Sequence, residues 1–242
     1  MGLSLYAILA ADACEMPALA GILEKPVYAL KSGPLAAIVS DCPLASLRAE
    51  RRHIAAYQRV LAALYRECDL LPMAFGSVAQ SEADARRFLK EHKEALSFAL
   101  SRVRGTVEMG LSLVLDGVEA IPFLLARTPE LKAARERTFG RGAAPSYGER
   151  LRLGELCQEA LEGYRSKETA KLLALLAPWC RETMALPVRG ESEIARLAML
   201  VPRPTVGEFE AAVAAAAPGF ADELAFRLSG PWPAHNFVSL SL

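Results

Sequence analysis

Short apolar segments near the start of the chain follow the pattern of β-strands. Residues 3–10 form a mostly apolar run of strand length. Residues 27–30 and 35–40 are two further apolar segments, and the Lys-Ser-Gly-Pro sequence at residues 31–34 separates them. The pattern predicts a buried strand followed by a β-hairpin.

Two longer segments repeat apolar residues every three or four positions, which is the period of a helix with one buried face. The first spans residues 47–68, and the second spans residues 81–103, where Ser81 and Asp84 approximate a capping box. The predicted stripe of the first helix comprises Ile54, Tyr57, Leu61, Leu64, Tyr65 and Cys68. The predicted stripe of the second comprises Ala85, Phe88, Leu89, His92, Leu96, Ala99, Leu100 and Val103.

Strand patterns also follow each predicted helix. The sequence LPMAFGSV at residues 71–78 predicts a short strand, and residues 107–115 predict another. A strand, a hairpin, a helix, a strand, a helix and a strand then follow one another along residues 1–116. This order predicts an α+β domain related to the ferredoxin-like arrangement, with both helices on one face of the sheet.

The remaining residues, 117–242, predict a second, helix-rich α+β domain. Residues 118–137 have a helical pattern, and Ser146 with Glu149 forms a capping box for a helical segment that is expected to break near Gly163. Strand and helix patterns then alternate to the end of the chain. They are strands at residues 183–188 and 193–201, a helix from Thr205, and strands at residues 223–228 and 237–240 on either side of a Gly-Pro-Trp-Pro turn.

Composition excludes several classes of protein. The 242-residue chain carries 28 Lys and Arg residues and 28 Asp and Glu residues, so its formal charge at pH 7 is zero. Nucleic acid is therefore not expected as a partner. Although 52% of the residues are apolar, no run approaches the roughly 18 consecutive apolar residues of a transmembrane helix. The apolar residues are therefore expected to face a core or a partner.

Cysteine and histidine positions predict neither a disulfide framework nor a metal site. The cysteines are odd in number and widely scattered, which fits free thiols in a reducing cytoplasm. They are Cys14, Cys42, Cys68, Cys157 and Cys180. No two histidines have the His-x-x-x-His spacing of a helical metal site. No cofactor or metal is expected.

No catalytic constellation stands out. The glycine cluster at residues 140–142 lacks the Gly-Lys-Ser/Thr ending of a phosphate loop, and no Gly-x-Ser-x-Gly nucleophile motif occurs. His53 lies three residues after Glu50, which favours ordinary surface pairing over a general-base role. His92 lies in an apolar stripe and is expected in the core.

One alternative function stays open at this point. A small-molecule-binding protein, or an enzyme, that uses a cleft between the two domains would take His53, His235 or the Arg-rich loop around Arg141 as its site residues. Such a site requires a polar pocket with converging ionisable side chains.

Two motifs carry a family resemblance. LPMAFGSV at residues 71–78 is followed by SEADARRFL at residues 81–89, and GPWPAHNF stands at residues 230–237. Together they resemble the gas vesicle protein F/L family. The similarity extends to the YAIL, PLAAIVS, RRHIAAYQRVL and VEMGLSL segments, and thus nearly from end to end of the chain.

The resemblance implies a non-enzymatic accessory protein of gas vesicle assembly, without a cofactor. It implies a two-domain α+β fold whose N-terminal part is a modified ferredoxin-like fold. It also implies a cytoplasmic protein and minor vesicle component, whose partners are the hydrophobic gas vesicle shell protein and other gas vesicle accessory proteins. Such a role predicts an exposed apolar patch or an open sheet edge for contact with the shell protein.

The motif residues are candidates for either structural or partner-contact roles. The candidates are Leu71, Pro72, Met73, Phe75, Gly76, Gly230, Pro231, Trp232, Pro233 and Phe237. Phe75, Trp232 and Phe237 are expected to anchor the core, because large aromatic side chains bury much apolar surface. The glycines and prolines are expected to fix turns through their restricted or permissive dihedral angles.

Overall fold

The computed structural model describes residues 2–13, 18–43, 48–140 and 144–238. These residues form helices and two β-sheets, which confirms the predicted α+β class. The chain forms two compact units. The first unit combines Met1–Glu108 with Gly230–Leu242, and the second is Met109–Ser229.

The sheet of the first unit is built around a central pair of antiparallel strands. Its strands are β1 (Gly2–Ala10), β2 (Val27–Ser32), β3 (Leu35–Cys42), β4 (Leu71–Pro72) and β5 (Val78–Ala79). Their order is β2-β3-β1-β4, and β5 also pairs with β1. The predicted hairpin is confirmed, because β2 and β3 pair in register across a two-residue turn in which Gly33 has a φ of +62°.

The segment predicted as one strand at residues 71–78 is instead two short strands. Both β4 and β5 pair with β1, and a turn separates them. In that turn Gly76 has a φ of +89°, and the N–H of Ser77 donates to the carbonyl oxygen of Ala74. The positive φ is the physical reason for the interruption, since an extended strand requires a negative φ.

Three helices pack in the first unit: α1 (Arg51–Glu67), α2 (Glu82–Glu91) and α3 (Lys93–Val103). Ser81 caps α2 by accepting a hydrogen bond from the N–H of Asp84, as its position predicts. The helix predicted over residues 81–103 breaks at His92, whose φ and ψ of −101° and 16° leave the helical region. The prediction of a buried His92 is wrong, because the break leaves this side chain exposed, with its ring 4.7 Å from that of Phe88.

One part of the core of the first unit lies between α1 and the sheet. Apolar side chains of α1, including Tyr57, Leu61 and Leu64, are buried against Tyr6 and Ile38. The stripe that the helical spacing predicts in this segment therefore faces the sheet, as expected for an amphipathic helix.

Among its described residues, the second unit has four α-helices and its own sheet. The elements that follow α3 are β6 (Thr106–Leu115), α4 (Ala120–Arg127), α5 (Pro129–Phe139), α6 (Tyr147–Leu176), β7 (Glu182–Ala185), β8 (Glu193–Pro202), α7 (Val206–Ala216) and β9 (Leu224–Trp232). The sheet order is β7-β8-β6-β9, and β7 and β8 are antiparallel. Phe209 of α7 and Leu172 of α6 are fully buried, as are most apolar side chains of β8.

The division into units differs in two places from the expected domains at residues 1–116 and 117–242. Most of β6 belongs to the second unit, because the partners of this strand are β8 and β9. The segment after Ser229 belongs to the first unit. Both differences come from strand and side-chain partners that are distant in sequence, which local patterns do not contain.

Two predicted helices and one predicted strand also differ from expectation. The helical pattern at residues 118–137 forms two helices, with Pro129 at the start of the second, where its missing N–H costs nothing. Helix α6 runs through Gly163 without a break, because one glycine lowers helical stability without stopping a long helix. The predicted strand at residues 237–240 falls partly outside the described residues, and Phe237 itself lies in a turn.

Candidate functional site

The first family motif builds the core and a turn of the first unit. Leu71, Pro72 and Met73 are buried, and the exposed Gly76 supplies the turn. Phe75 is half-buried and packs edge-on against Tyr57 of α1, with 5.7 Å between ring centroids. The Tyr57 hydroxyl also donates to the carbonyl oxygen of Met73.

In the second family motif, one aromatic side chain is buried and the other is exposed. Phe237 is 5% exposed, whereas Trp232 is 52% exposed. The expectation that Trp232 anchors the core is therefore wrong. The reason is its position at the end of β9, an edge strand whose last residues, from Arg227 onward, are all exposed.

The backbone around Trp232 has two unusual features. Gly230 has a φ of +121°, and the peptide bond between Gly230 and Pro231 is cis. Pro231 is exposed and Pro233 is buried. The turn expected at residues 230–233 is not formed there, because β9 continues through Gly230 and Pro231 to Trp232, and the chain turns only at residues 235–237.

Hydrogen bonds that could not be predicted from the sequence fix the end of the GPWPAHNF motif. Asn236 donates two hydrogen bonds to Glu108, and a guanidinium nitrogen of Arg102 donates to the carbonyl oxygen of Phe237 at 3.3 Å. The only sequence signal for Asn236 is its place inside the GPWPAHNF motif.

The candidate histidines are not brought together into a site. His53 is buried in α1, with Nδ1 3.1 Å from the carbonyl oxygen of Arg48, and the expected surface pairing with Glu50 is wrong. Glu50 pairs instead with Arg52 at 2.8 Å. The described ranges contain no group of three or more His, Cys, Asp or Glu side chains arranged for a metal ion. Cys14 and Arg141 lie outside the described residues.

Several edge positions of the two sheets are short, already hydrogen-bonded or without an N–H group. Strands β4 and β5 have two residues each, and β7 has four. On β2, the carbonyl oxygen of Lys31 accepts from Arg86, and the N–H of Val27 donates to the carbonyl oxygen of Leu19. On β9, Pro231 has no N–H to offer to a new strand. Such features oppose strand addition.

An apolar cleft of about 620 Å³ lies in the second unit between α4, α5 and α6. Its apolar lining comprises Ala120, Ile121, Leu124, Leu125, Phe139, Leu153, Gly154, Cys157 and Leu161. Ile121 is 46% exposed and Phe139 is 53% exposed. Large apolar side chains that converge on a concave, exposed surface are typical of a binding site.

Helix α6 supplies one wall of the cleft, and its buried residues lie near its C-terminal end. A capping box begins the helix, with Ser146 accepting from the N–H of Glu149 and the Glu149 carboxylate accepting from the N–H of Ser146. The buried residues of the helix, Glu168, Leu172 and Leu176, all lie in its last third. The earlier turns contact α4 and α5 but leave their side chains at least partly exposed.

The polar rim of the cleft is divided by charge. Arg135 and Arg150 line it, as do Glu162 and Glu191. Arg165 also lines the cleft, but its guanidinium group donates to the carbonyl oxygens of residues 190, 191 and 193, so it holds the turn before β8. Burial raises the pKa of the Cys157 thiol, so this side chain contributes apolar surface rather than a reactive thiolate.

Sequence reasoning missed this cleft. A signal for the cleft was present in the sequence of α4. Its apolar residues are spread around the helix instead of lying on one face; they are Ile121, Phe123, Leu124 and Leu125. A short helix that is apolar on all sides must bury one side against something beyond its own unit's core.

None of the helices in the described ranges has both the length and the hydropathy that a bilayer crossing requires.

Comparison with solved structures identifies the fold. GvpF from Anabaena sp. PCC7120 superposes with a TM-score of 0.85 at 22% sequence identity, covering 100% of this chain and 99% of that one. GvpF from Microcystis aeruginosa superposes with a TM-score of 0.81 at 21% identity, covering 99% of both chains. The fold is thus that of these two gas vesicle proteins.

Sequence comparison leads to the same group. Gas vesicle protein F of Streptomyces sp. (strain CB03234) is 28% identical over 214 residues, which is 88% of each chain. Gas vesicle protein F1 of Halobacterium salinarum is 25% identical over 120 residues, 48% of this chain and 56% of the relative. The profile of the gas vesicle synthesis protein GvpL/GvpF family matches residues 2–239. The chain therefore belongs to the GvpL/GvpF family of gas vesicle synthesis proteins.

Proposed function

We propose that this protein is an accessory factor of gas vesicle assembly that binds the hydrophobic shell protein and helps to nucleate or chaperone its assembly. The observation that carries this proposal is the exposed apolar cleft between α4, α5 and α6. Family membership supplies the context of gas vesicle synthesis. The role requires binding and release of a partner but no chemical step.

The physical basis is the burial of apolar surface. A shell subunit that polymerises through apolar contacts associates without control unless a partner covers those contacts before assembly. The cleft presents Ile121 and Phe139 to solvent, so binding removes apolar area from water on both partners. The protected sheet edges make the cleft, rather than strand addition, the preferred contact.

The alternative of a small-molecule-binding protein or an enzyme has less support. The lining of the cleft places Arg165 in hydrogen bonds to backbone carbonyls and holds Cys157 as a neutral thiol. Neither His53 nor His235 lines the cleft. A catalytic cleft needs ionisable groups that converge on one point, whereas the lining of this cleft is mostly aliphatic and aromatic.

We also propose a cytoplasmic location, with the protein a minor component of the vesicle that contacts other accessory proteins as well as the shell protein. A protein that acts before the shell closes must meet newly made subunits, which is the reason for placing it in the cytoplasm.

Co-purification tests the proposal. The tagged protein and the shell protein from the same organism are co-expressed, and the shell protein is expected in the eluate and absent from a tag-only control. Deletion of the gene is expected to reduce the number of vesicles seen by electron microscopy. Failure of the two proteins to associate, together with unaffected vesicles in the deletion strain, would show that the proposal is wrong.

A further inference from the structure

We propose that the cleft along α6 binds an amphipathic partner helix of about four turns, with an acidic residue near one end of its apolar stripe and a basic residue near the other. The inference rests on the proposed function in taking the shell protein as the source of this helix. The cleft itself supplies the length, the apolar spacing and the charge pattern.

The length follows from the face that α6 presents. Eight residues of this helix line the cleft: Arg150, Leu153, Gly154, Cys157, Gln158, Leu161, Glu162 and Arg165. Successive positions differ by three or one, so they form one stripe that repeats at every helical turn. At 1.5 Å per residue, the stripe from Arg150 to Arg165 is about 22 Å long, which is the length of a four-turn helix.

Helical walls favour a helical occupant. The backbone N–H and C=O groups along α4, α5 and α6 are used within each helix, so an extended peptide finds no strand with which to pair. Side chains on a helix form ridges that fit the grooves of another helix at spacings of one turn. Gly154 lies in the middle of the stripe and has no side chain, and the space where a Cβ would stand is open. A partner helix can therefore approach the backbone of α6 closely at this position.

The two ends of the cleft differ in charge. Arg150 lies at the start of the stripe, and Arg135 is on α5, which a short connection joins to the start of α6. Glu162 lies near the other end of the stripe, where the Arg165 guanidinium donates to backbone carbonyl oxygens of the turn that contains Glu191. This end thus holds two carboxylates and one cation, whereas the first end holds two cations. Within the part of the chain that the structure describes, none of Arg135, Arg150, Glu162 and Glu191 is in an ion pair.

This charge pattern selects the partner and its orientation. At one end, a carboxylate of the partner pairs with Arg135 and Arg150. At the other end, an ammonium or guanidinium group of the partner pairs with Glu162 and Glu191. On a helix the two partner charges stand about 12 residues apart, with apolar residues every three or four positions between them. The reverse orientation places like charges together and is disfavoured.

The test measures binding of a solubility-tagged shell protein to purified variants. Ile121→Asp and Phe139→Asp place a carboxylate in the cleft at positions that are 46% and 53% exposed, so both variants keep the fold. Leu151→Asp is the matched control, because Leu151 is 50% exposed on α6 and does not line the cleft. Each cleft variant is expected to weaken binding by about tenfold or more, and the control by less than about twofold.

A second arm identifies the bound segment. Photo-cross-linking benzoylphenylalanine in place of Phe139, followed by mass spectrometry, is expected to label a segment of the shell protein with the helical stripe and the two end charges. Arg150→Glu is expected to weaken binding of the wild-type shell protein. Reversal of the acidic residue in the labelled segment to Lys is expected to restore it.

The outcomes separate this inference from the proposed function. If the wild-type protein binds the shell protein and all three Asp variants bind equally well, the cleft inference is wrong while the proposed function stands. A labelled segment without helical periodicity, or an equal loss of binding in Leu151→Asp, also overturns the inference. If the wild-type protein does not bind the shell protein at all, the proposed function fails and the shell-protein helix fails with it.

Discussion

Asn236 donates two hydrogen bonds to the buried carboxyl group of Glu108, one from its backbone nitrogen to Oε2 at 2.8 Å and one from Nδ2 to Oε1 at 2.5 Å. The two residues are separated by 128 positions in sequence. Glu108 is 5% exposed, so both of its oxygen atoms depend on these donors. The contact connects the GPWPAHNF motif to the first unit and explains why that unit includes the end of the chain.

Stability is expected to depend on pH through Glu108. Desolvation by burial raises the pKa of Glu108 above its ordinary value of 4.5, although the two hydrogen bonds from Asn236 lower it. The folded protein therefore holds this proton more tightly than the unfolded chain does. The stability that this protonated carboxyl group contributes is fully present below pH 4.5 and is lost as the pH rises through the raised pKa of Glu108.

Glu108→Gln removes this titration, so the free energy of unfolding of the variant is expected to rise relative to that of the wild type as the pH increases from 4.5 through the raised pKa of Glu108. Glu108→Ala leaves two donors without acceptors and is expected to cost about 1–3 kcal/mol. Urea unfolding at several pH values measures both effects. A constant difference between wild type and Glu108→Gln across this range would contradict the assignment.

The two aromatic residues of the second motif are expected to differ in their effect on stability. Phe237→Ala removes a side chain that is 5% exposed and is expected to lower the free energy of unfolding by about 3–5 kcal/mol. Trp232→Ala removes one that is 52% exposed, and a loss of about 1 kcal/mol is expected. Chemical denaturation of both variants measures the difference, and equal losses would show that Trp232 is buried in solution.

A side chain at Gly21 is expected to destabilise the first unit. A Cβ at this position would overlap the Tyr6 hydroxyl and lie 2.9 Å from Cγ2 of Val27. The Tyr6 hydroxyl accepts from the N–H of Ile22 at 2.7 Å and is 2.8 Å from Oγ of Ser40, so it has no free direction in which to move. Gly21→Ala is expected to destabilise the protein by about 1–3 kcal/mol, measured by thermal unfolding.

Gly163→Ala is the control for this substitution. Gly163 lies within α6, and a Cβ there meets open space. Alanine is the better helix former, so the variant is expected to gain about 1 kcal/mol in the same measurement. A loss of stability at Gly163, or no change at Gly21, would contradict the packing described for these positions.

The Tyr57 hydroxyl is expected to contribute to stability through the first motif. Burial raises the pKa of Tyr57 to about 12, so the hydroxyl keeps its proton at neutral pH and donates to the carbonyl oxygen of Met73. Tyr57→Phe keeps the ring packing but leaves that carbonyl unpaired, and a cost of about 1–2 kcal/mol is expected. Tyr147→Phe is the matched control, since Tyr147 is 75% exposed. Unfolding curves that coincide for the two variants would show that the hydrogen bond between Tyr57 and Met73 is absent.

Local elements of the first unit could be predicted from sequence where one short-range signal dominates. The hairpin at residues 31–34 needs only Gly33 and Pro34 in a turn between two apolar segments. Ser81 and Ser146 cap their helices as their spacing to Asp84 and Glu149 predicts. Each of these signals involves residues within four positions of one another.

Predictions that needed a distant partner failed. The helical stripe at residues 81–103 suggested a buried His92, but the helix breaks at this residue, and its side chain is exposed. An aromatic residue between prolines suggested a buried Trp232, but its exposure depends on β9 being an edge strand. The sequence of a strand does not state which neighbours it will have.

The amino-acid sequence by itself determined the α+β class, most of the helices and strands, and the family, because periodicity, caps, turns and motifs act over a few residues. Only the tertiary structure decided that most of β6 belongs to the second unit, that Asn236 holds Glu108, and that α4, α5 and α6 leave an apolar cleft. These features arise from contacts between residues far apart in the chain. Whether an apolar side chain faces a core or solvent is settled by those contacts and not by its hydropathy.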